Sequence, residues 1–530
     1  MPVPNPGTKR RPIAGLLLTA FAILFSSIPA QAGKIYVPNR SFELPGAPAE
    51  FPYADFQVTD WAKSPAPPWY NPATNQFTPW EYLTGTFTNA PFPGSFIDNC
   101  DGVNGGFMFA HPEVALLQDY NTIYGTNASP THAFNAKYAV GRYYDLTVAV
   151  LGAGPGMSND ATMQCNLYYR DASNNIVVVA STSVTNDTTT FSNHTHFVDF
   201  LVHTSTVRDT DAWAGKNIGI QLLSTSTTNN VGGYWDVDNV RLTENIEVPN
   251  YSFELPGAPA EFPYADFPIT EWAKSPAPPW YNPATNQFTP WEYLTGTFTN
   301  APFPGSFIDN CDGVNAGFMF AHPEVALLQD NNTIYGTNSS PTHAFNAKYV
   351  AGKSYELTVA VLGGGAGMSN DATIQCSLYY RDSASNIVVV ASTTATNDTG
   401  TFPNHTHFVD FKAKIPVVNA IDLWAGKNIG IRLLSTSTTN NTGGYWDVDN
   451  VRLVETTATA LSGPVKTNNQ FKLTLASEPD SAFDVIASSN ISQASSNWTV
   501  VGRITNITGE GTVTDAETNH TQRFYRARGL

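Results

Sequence analysis

Trp235-Asp236-Val237-Asp238-Asn239-Val240-Arg241-Leu242 recurs unchanged as Trp446 to Leu453, a shift of 446 − 235 = 211 residues. Working outward, the shift holds everywhere. Val37-Pro38-Asn39-Arg40-Ser41-Phe42-Glu43 returns as Val248-Pro249-Asn250-Tyr251-Ser252-Phe253-Glu254, and Trp61 to Asn104 matches Trp272 to Asn315 without a difference. The period exceeds the roughly 20–50 residues of solenoid repeats, so each copy reads as a whole domain. Duplication raises avidity in a binding module, and gives an active site less. Recurrence alone does not mark a residue as important, because so recent a copy preserves everything.

The repeated octapeptide reads as a strand, and strand patterns dominate the chain. Tyr143 to Leu151, Ala161 to Tyr169, Ile176 to Ser181, Thr195 to Phe200 and Asn217 to Leu223 are rich in β-branched and aromatic residues. Turn clusters such as Asp171 to Asn175 and Thr227 to Gly233 separate them. Many short strands with regular turns predict an all-β chain of two tandem jelly-roll β-sandwiches. The Pro-rich stretch from Lys63 to Pro93 is expected to be a long ordered loop over the sandwich. After Leu453 the text changes to linker composition. Strand patterns at Phe471 to Leu475, Phe483 to Ala487, Trp498 to Gly502 and Arg523 to Ala527 then predict a small third β-domain. The expected division is a signal peptide at 1–32, jelly rolls at 33–245 and 246–455, a linker at 456–464 and the small β-domain at 465–530.

The ends and the charge bound the function. Lys9, Arg10 and Arg11 precede an apolar run from Ile13 to Phe25, and Ala30-Gln31-Ala32 offers a small-x-small cleavage pattern. The mature protein is therefore expected outside the cytoplasm: secreted, periplasmic or cell-surface, with no membrane span. A net charge of −17 without a basic tract excludes nucleic acid and anionic membrane as natural partners. Each copy has two cysteines, Cys100 with Cys165 and Cys311 with Cys376. In an oxidising compartment these pairs are expected to form disulfides; two buried thiols that never meet are the alternative.

Each copy opens with N-x-S-F-E, closes with W-D-V-D-N-V-R-L and carries a Gly-initiated strand between them, at Gly141 and Gly352. This resembles the galactose-binding-domain-like jelly rolls, a group that holds several carbohydrate-binding modules, as found in exported proteins of environmental bacteria. The C-terminal segment, with Asn497-Trp498-Thr499 and Gln522 to Ala527, is similar to a small β-domain ending many exported proteins of Verrucomicrobia-like bacteria. The first resemblance implies a structural Ca²⁺ tying the first strand to the last. Glu43 with Asp238, and Glu254 with Asp449, stand at the matching acidic positions, and hard oxygen ligands suit that ion.

Flat aromatic faces stack on pyranose rings. Trp69, Tyr70, Trp80 and Tyr82, with Trp280, Tyr281, Trp291 and Tyr293, are the sugar-site expectation. His194-Thr195-His196 places two imidazoles on one strand face without a third metal ligand in view. No GxSxG, HExxH or Walker motif occurs, so no catalytic residue is assigned. The loop acids Glu81, Asp98, Asp101 and Glu113 would have to converge for a glycosidase. The sequence thus predicts an exported, non-enzymatic protein that binds polysaccharide or glycoconjugate through two modules. A structural or adhesive surface protein is the rival reading, and a hydrolase the third.

Overall fold

The computed structural model describes residues 33–530 except 49–53, 72–78, 90–95, 121–133, 193, 228–231, 260–264, 268, 283–289, 301–306, 332–344, 404, 439–440, 442, 468–469 and 517–521. The expected signal peptide lies outside the described residues. The first repeat runs β1 (Gly33–Ile35), β2 (Ala54–Asp55), β3 (Ala62–Lys63), β4 (Thr84–Thr88), β5 (Asn104–Phe109), β6 (Ala115–Gln118), β7 (Arg142–Ala153), β8 (Thr162–Arg170), β9 (Ile176–Thr185), β10 (Val198–His203), β11 (Gly219–Ser224) and β12 (Tyr234–Ile246). Its large antiparallel sheet has the order β2-β4-β5-β12-β7-β10, with β1 also on β12. The second sheet is β3-β6-β11-β8-β9. Alternation decides the faces: Leu146, Val148 and Val150 of β7 and Trp235 and Val237 of β12 turn inward, meeting Met163 and Leu167 of β8 and Ile220 and Leu222 of β11. The second repeat reproduces this arrangement. Among the described residues no helix is long and apolar enough to cross a membrane.

The repeats are joined without a spacer. Strand β12 is unbroken from Tyr234 to Ile246. It pairs with β7 along its length, and its last residue, Ile246, pairs with Leu453 of the second repeat's closing strand, Tyr445–Thr457. Glu244 to Ile246 therefore serve twice, ending repeat one and opening repeat two. The large sheets of both repeats form one 13-stranded sheet. A charged cluster sits at the join. Arg142 contacts Glu455 at 2.8 Å and Glu244 at 3.3 Å, and the Tyr355 hydroxyl donates to Glu455 at 2.8 Å.

The C-terminal domain has two three-stranded sheets around Leu473, Leu475, Val485 and Ile504. It docks on the first repeat. Glu478 accepts the Lys34 amide at 2.8 Å and the Thr457 amide, and Asp480 pairs with Arg40 at 3.0 Å.

Two expectations change here. The Pro-rich stretch is not loop throughout, since Thr84–Thr88 inside it is a strand of the large sheet. The disulfides are not formed, and all four cysteines are free. Cys165 faces the core from β8, and so does Cys376 at the equivalent place. Cys100 and Cys311 lie on loops before Asn104 and Asn315, whose carbonyls accept their thiols at 3.2 and 3.3 Å. The apolar core surrounds one thiol of each pair, while the other is held by the sheet edge.

Candidate functional site

The large sheet's outer face is shaped by glycines in Thr84-Gly85-Thr86-Phe87-Thr88 and Asn104-Gly105-Gly106-Phe107. Register sets Gly85 opposite Phe107 and Phe87 opposite Gly105. With no Cβ beneath them, the two rings lie down across the sheet: a Cβ on Gly85 would sit 2.7 Å from Phe107, and one on Gly105 2.8 Å from Phe87. Side chains directly opposite share a face, so Phe107, Asp236 of β12 and Leu151 of β7 form one outward row. Phe56 stands 6.2 Å from Phe107 and 4.7 Å from Tyr82, ring centre to ring centre. Phe109 continues the strip toward His111. Repeat two builds the same strip from Phe267, Tyr293, Phe318, Phe320 and His322.

Asp236 and Asp447 are the unusual members of this face. They are 6% and 7% exposed, and among the described residues neither carboxyl makes a hydrogen bond or an ion pair. Burial alone pushes Asp447 up to about 8 and Asp236 well above the usual carboxylate range. Burial thus favours the neutral carboxylic acid at both positions, a form able to donate a hydrogen bond or a proton beside the aromatic rings. The sequence reading passed over both as part of the closing motif. The signal was present: Trp235 and Val237 fill the core, so Asp236 must face the other way, and a strand central in its sheet gives it little water.

The predicted sugar residues separate. Tyr82 and Tyr293 are each 43% exposed. Trp69 and Trp280 are equally open, and their indole N–H groups donate to Glu113 and Glu324 at 3.1 and 3.2 Å. Trp80 and Trp291 are core residues, only 8% exposed. Their indoles donate to the Ser64 and Ser275 carbonyls at 2.8 Å, and Tyr70 and Tyr281 pack edge-on against them at 4.7 Å. These four pin the Pro-rich segment to the sandwich, with Trp80, Trp291 and Tyr281 buried and Tyr70 half-buried.

The expected calcium residues hold backbone N–H groups on the loop that enters β5. Glu43 accepts the Val103 and Asn104 amides and the Asn104 side chain at 2.8–2.9 Å, and Asp238 accepts the Asp101 and Asn239 amides at 2.7 Å. Glu254 and Asp449 repeat this pattern. A carboxylate has about four lone-pair positions, so Glu43 and Asp238 each keep acceptor positions beyond these N–H groups. The carboxylates clamp the loop entering β5. Burial raises Asp238 and Asp449 to about 7, despite these hydrogen bonds.

The two histidines diverge: His194 bonds the Gly152 carbonyl at 2.6 Å, while His196 bonds Asp98 at 2.6 Å. Asp101 contacts Arg40 at 3.2 Å and Glu113 holds Trp69, so the loop acids serve different partners.

The family model described as "HpiC1-like: HpiC1 cyclase" matches residues 244–454. Among solved structures the chain is similar to a cyclase from Fischerella sp. TAU, at 18% identity, covering 41% of this chain and 100% of that one, with a TM-score of 0.28. It is also similar to the CBM22-1–CBM22-2 tandem domain of Paenibacillus barcinonensis Xyn10C, at 11% identity, covering 81% and 99%, with a TM-score of 0.25. No curated protein matches.

Proposed function

We propose that this is an exported, non-catalytic glycan-binding protein in which each repeat offers the outer face of its large sheet to a polysaccharide or glycoconjugate. The observation that carries this reading is the exposed ring pair at the edge of that face, Phe56 with Tyr82 and Phe267 with Tyr293. The C–H face of a pyranose stacks on such rings, and Trp69 and Trp280 add a second flat surface. Two sites on one continuous sheet favour a polymer over a monosaccharide. The test is a glycan array on the chain from Gly33, followed by Tyr82→Ala with Tyr293→Ala. Loss of binding at an unchanged melting temperature supports the reading, and full binding by the double variant refutes it. Adhesion to cells or matrix without any glycan ligand would favour the structural-adhesive alternative.

A second reading rests on Asp236 and Asp447. A neutral acid in an aromatic-walled recess suits proton donation to an apolar, ring-forming substrate, and the cyclase family model over residues 244–454 supports the same chemistry. On this reading Asp236→Asn with Asp447→Asn abolishes turnover and leaves binding intact. On the glycan reading the pair changes affinity alone.

A further inference from the structure

We infer that the junction between the repeats holds a ligand site of its own, belonging to neither repeat alone, for a neutral oligosaccharide. A cleft of about 710 Å³ opens where repeat one meets repeat two, within the roughly 300–1,000 Å³ of small-molecule sites. Its floor is apolar: Ile246, Val248, Val451 and Leu453 are buried where the shared strand crosses the second closing strand. Tyr143 and Tyr251 stand on its walls. Tyr251 is 41% exposed, and Tyr143 packs against His203 with ring centres 5.0 Å apart. Asn245, Asn250, Ser205 and Thr206 bring amides and hydroxyls to the lining. The charges come in both signs, Arg208 and Arg452 against Glu247, Glu254 and Asp312, so the near balance selects neither a phosphate nor a polycation. Flat rings over an apolar floor with a hydroxyl-bonding rim are what a chain of neutral sugar rings requires.

The two repeats differ in the residues that line this cleft. Subtracting or adding 211 gives the equivalent positions on the other side of the molecule. There Tyr251 becomes Arg40, Tyr143 becomes Ser354, His203 becomes Lys414 and Arg208 becomes Asn419. Arg40 is engaged by Asp480, so the C-terminal domain docks on the equivalent surface. Both tyrosines occur only where that domain does not sit.

The test uses the chain from Gly33 carrying Tyr82→Ala and Tyr293→Ala, so that the outer faces do not contribute. Calorimetry with hexasaccharides of β-1,4-linked xylose, glucose and mannose is expected to find one site per chain for at least one of them. Tyr143→Ser with Tyr251→Arg installs residues the fold already accepts at Ser354 and Arg40, and is expected to weaken that site at least tenfold without lowering the melting temperature. His203→Lys, the residue at the equivalent position, provides a second variant with the same expected direction. Unchanged affinity in these variants overturns the inference, as does absence of binding by all three sugars. Preference for a hexagalacturonate over the neutral panel overturns the neutral class. A result confined to the Tyr82 and Tyr293 positions bears on the outer faces alone.

Discussion

Asp447→Asn should lower stability in acid and gain on the parent protein as pH rises to neutral. The folded state holds this carboxyl neutral, with burial pushing it up to about 8 against 3.8 for the free group. A raised acid contributes its full stability below pH 3.8. That stability is lost progressively as pH climbs toward 8, because the unfolded chain ionises and the folded one does not. At pH 7 the gap is 7 − 3.8 = 3.2 units, so the linkage penalty is about 4 kcal/mol as an upper value, at 1.36 kcal/mol per unit. Asparagine has the same shape and never ionises, so it removes the penalty. Its unpartnered amide adds a pH-independent cost of about 1–3 kcal/mol. Asp238 and Asp449, also raised, remain in both proteins and cancel in the difference. The assay is urea unfolding of both proteins from pH 4 to pH 8, plotted as the difference in free energy. A rise of roughly 4–5 kcal/mol in the variant's relative stability across that range is expected. Parallel curves would refute a neutral buried acid, and would mean the carboxylate is ionised and partnered when folded.

Trp80→Ala and Trp291→Ala remove buried rings and should each lower stability by about 3–5 kcal/mol. Tyr82→Ala should stay within about 0.5 kcal/mol, with urea midpoints as the measure. Thiol titration of urea-unfolded, unreduced protein should find four free thiols, and bridged peptides in a non-reducing digest would contradict that. Glu43→Gln should lower the melting temperature, because it turns one oxygen of a carboxylate that accepts three N–H groups into a donor. Arg142→Ala leaves Glu244 and Glu455 without their shared cation and should lower stability by about 3–5 kcal/mol, read from the midpoint of thermal unfolding.

The fold was legible where hydrophobic alternation is strong. Tyr143 to Leu151, Asn217 to Leu223 and Tyr234 to Leu242 all fall inside or within two residues of strands β7, β11 and β12. Two of the missed strands, Thr84–Thr88 and Asn104–Phe109, carry glycines, while Ala460–Thr467 has in part a linker composition. Glycine has low strand propensity, and its role here is seen only in the partner strand, where it makes room for a ring. The candidate site was harder to read for a similar reason. Trp80 and Tyr82 are two residues apart on one short turn, yet one is core and the other exposed. A 3-10 turn under a Pro-rich segment has no periodicity that assigns faces from sequence. The cysteine spacing suggested bridges because spacing says nothing of direction, and Cys165 points into an apolar core.

The shared strand alters what duplication means in this molecule. In repeat one the opening strand Gly33–Ile35 pairs with Leu242 to Glu244. The matching opening of repeat two is Glu244 to Ile246, which is already the end of β12. A boundary drawn between residues 245 and 246 therefore runs through a strand, and neither half can keep it whole. Ile246 and Leu453 bury each other across the join, and Arg142 of repeat one neutralises Glu455 of repeat two. Flexible tandem modules sample many separations and lose entropy when both engage one polymer. Here one sheet fixes the separation of the two outer faces before any ligand arrives. On the proposed glycan-binding reading, the avidity gained then depends on whether a polymer's own repeat matches that fixed distance, which places selectivity for chain conformation in the sheet that joins the two faces.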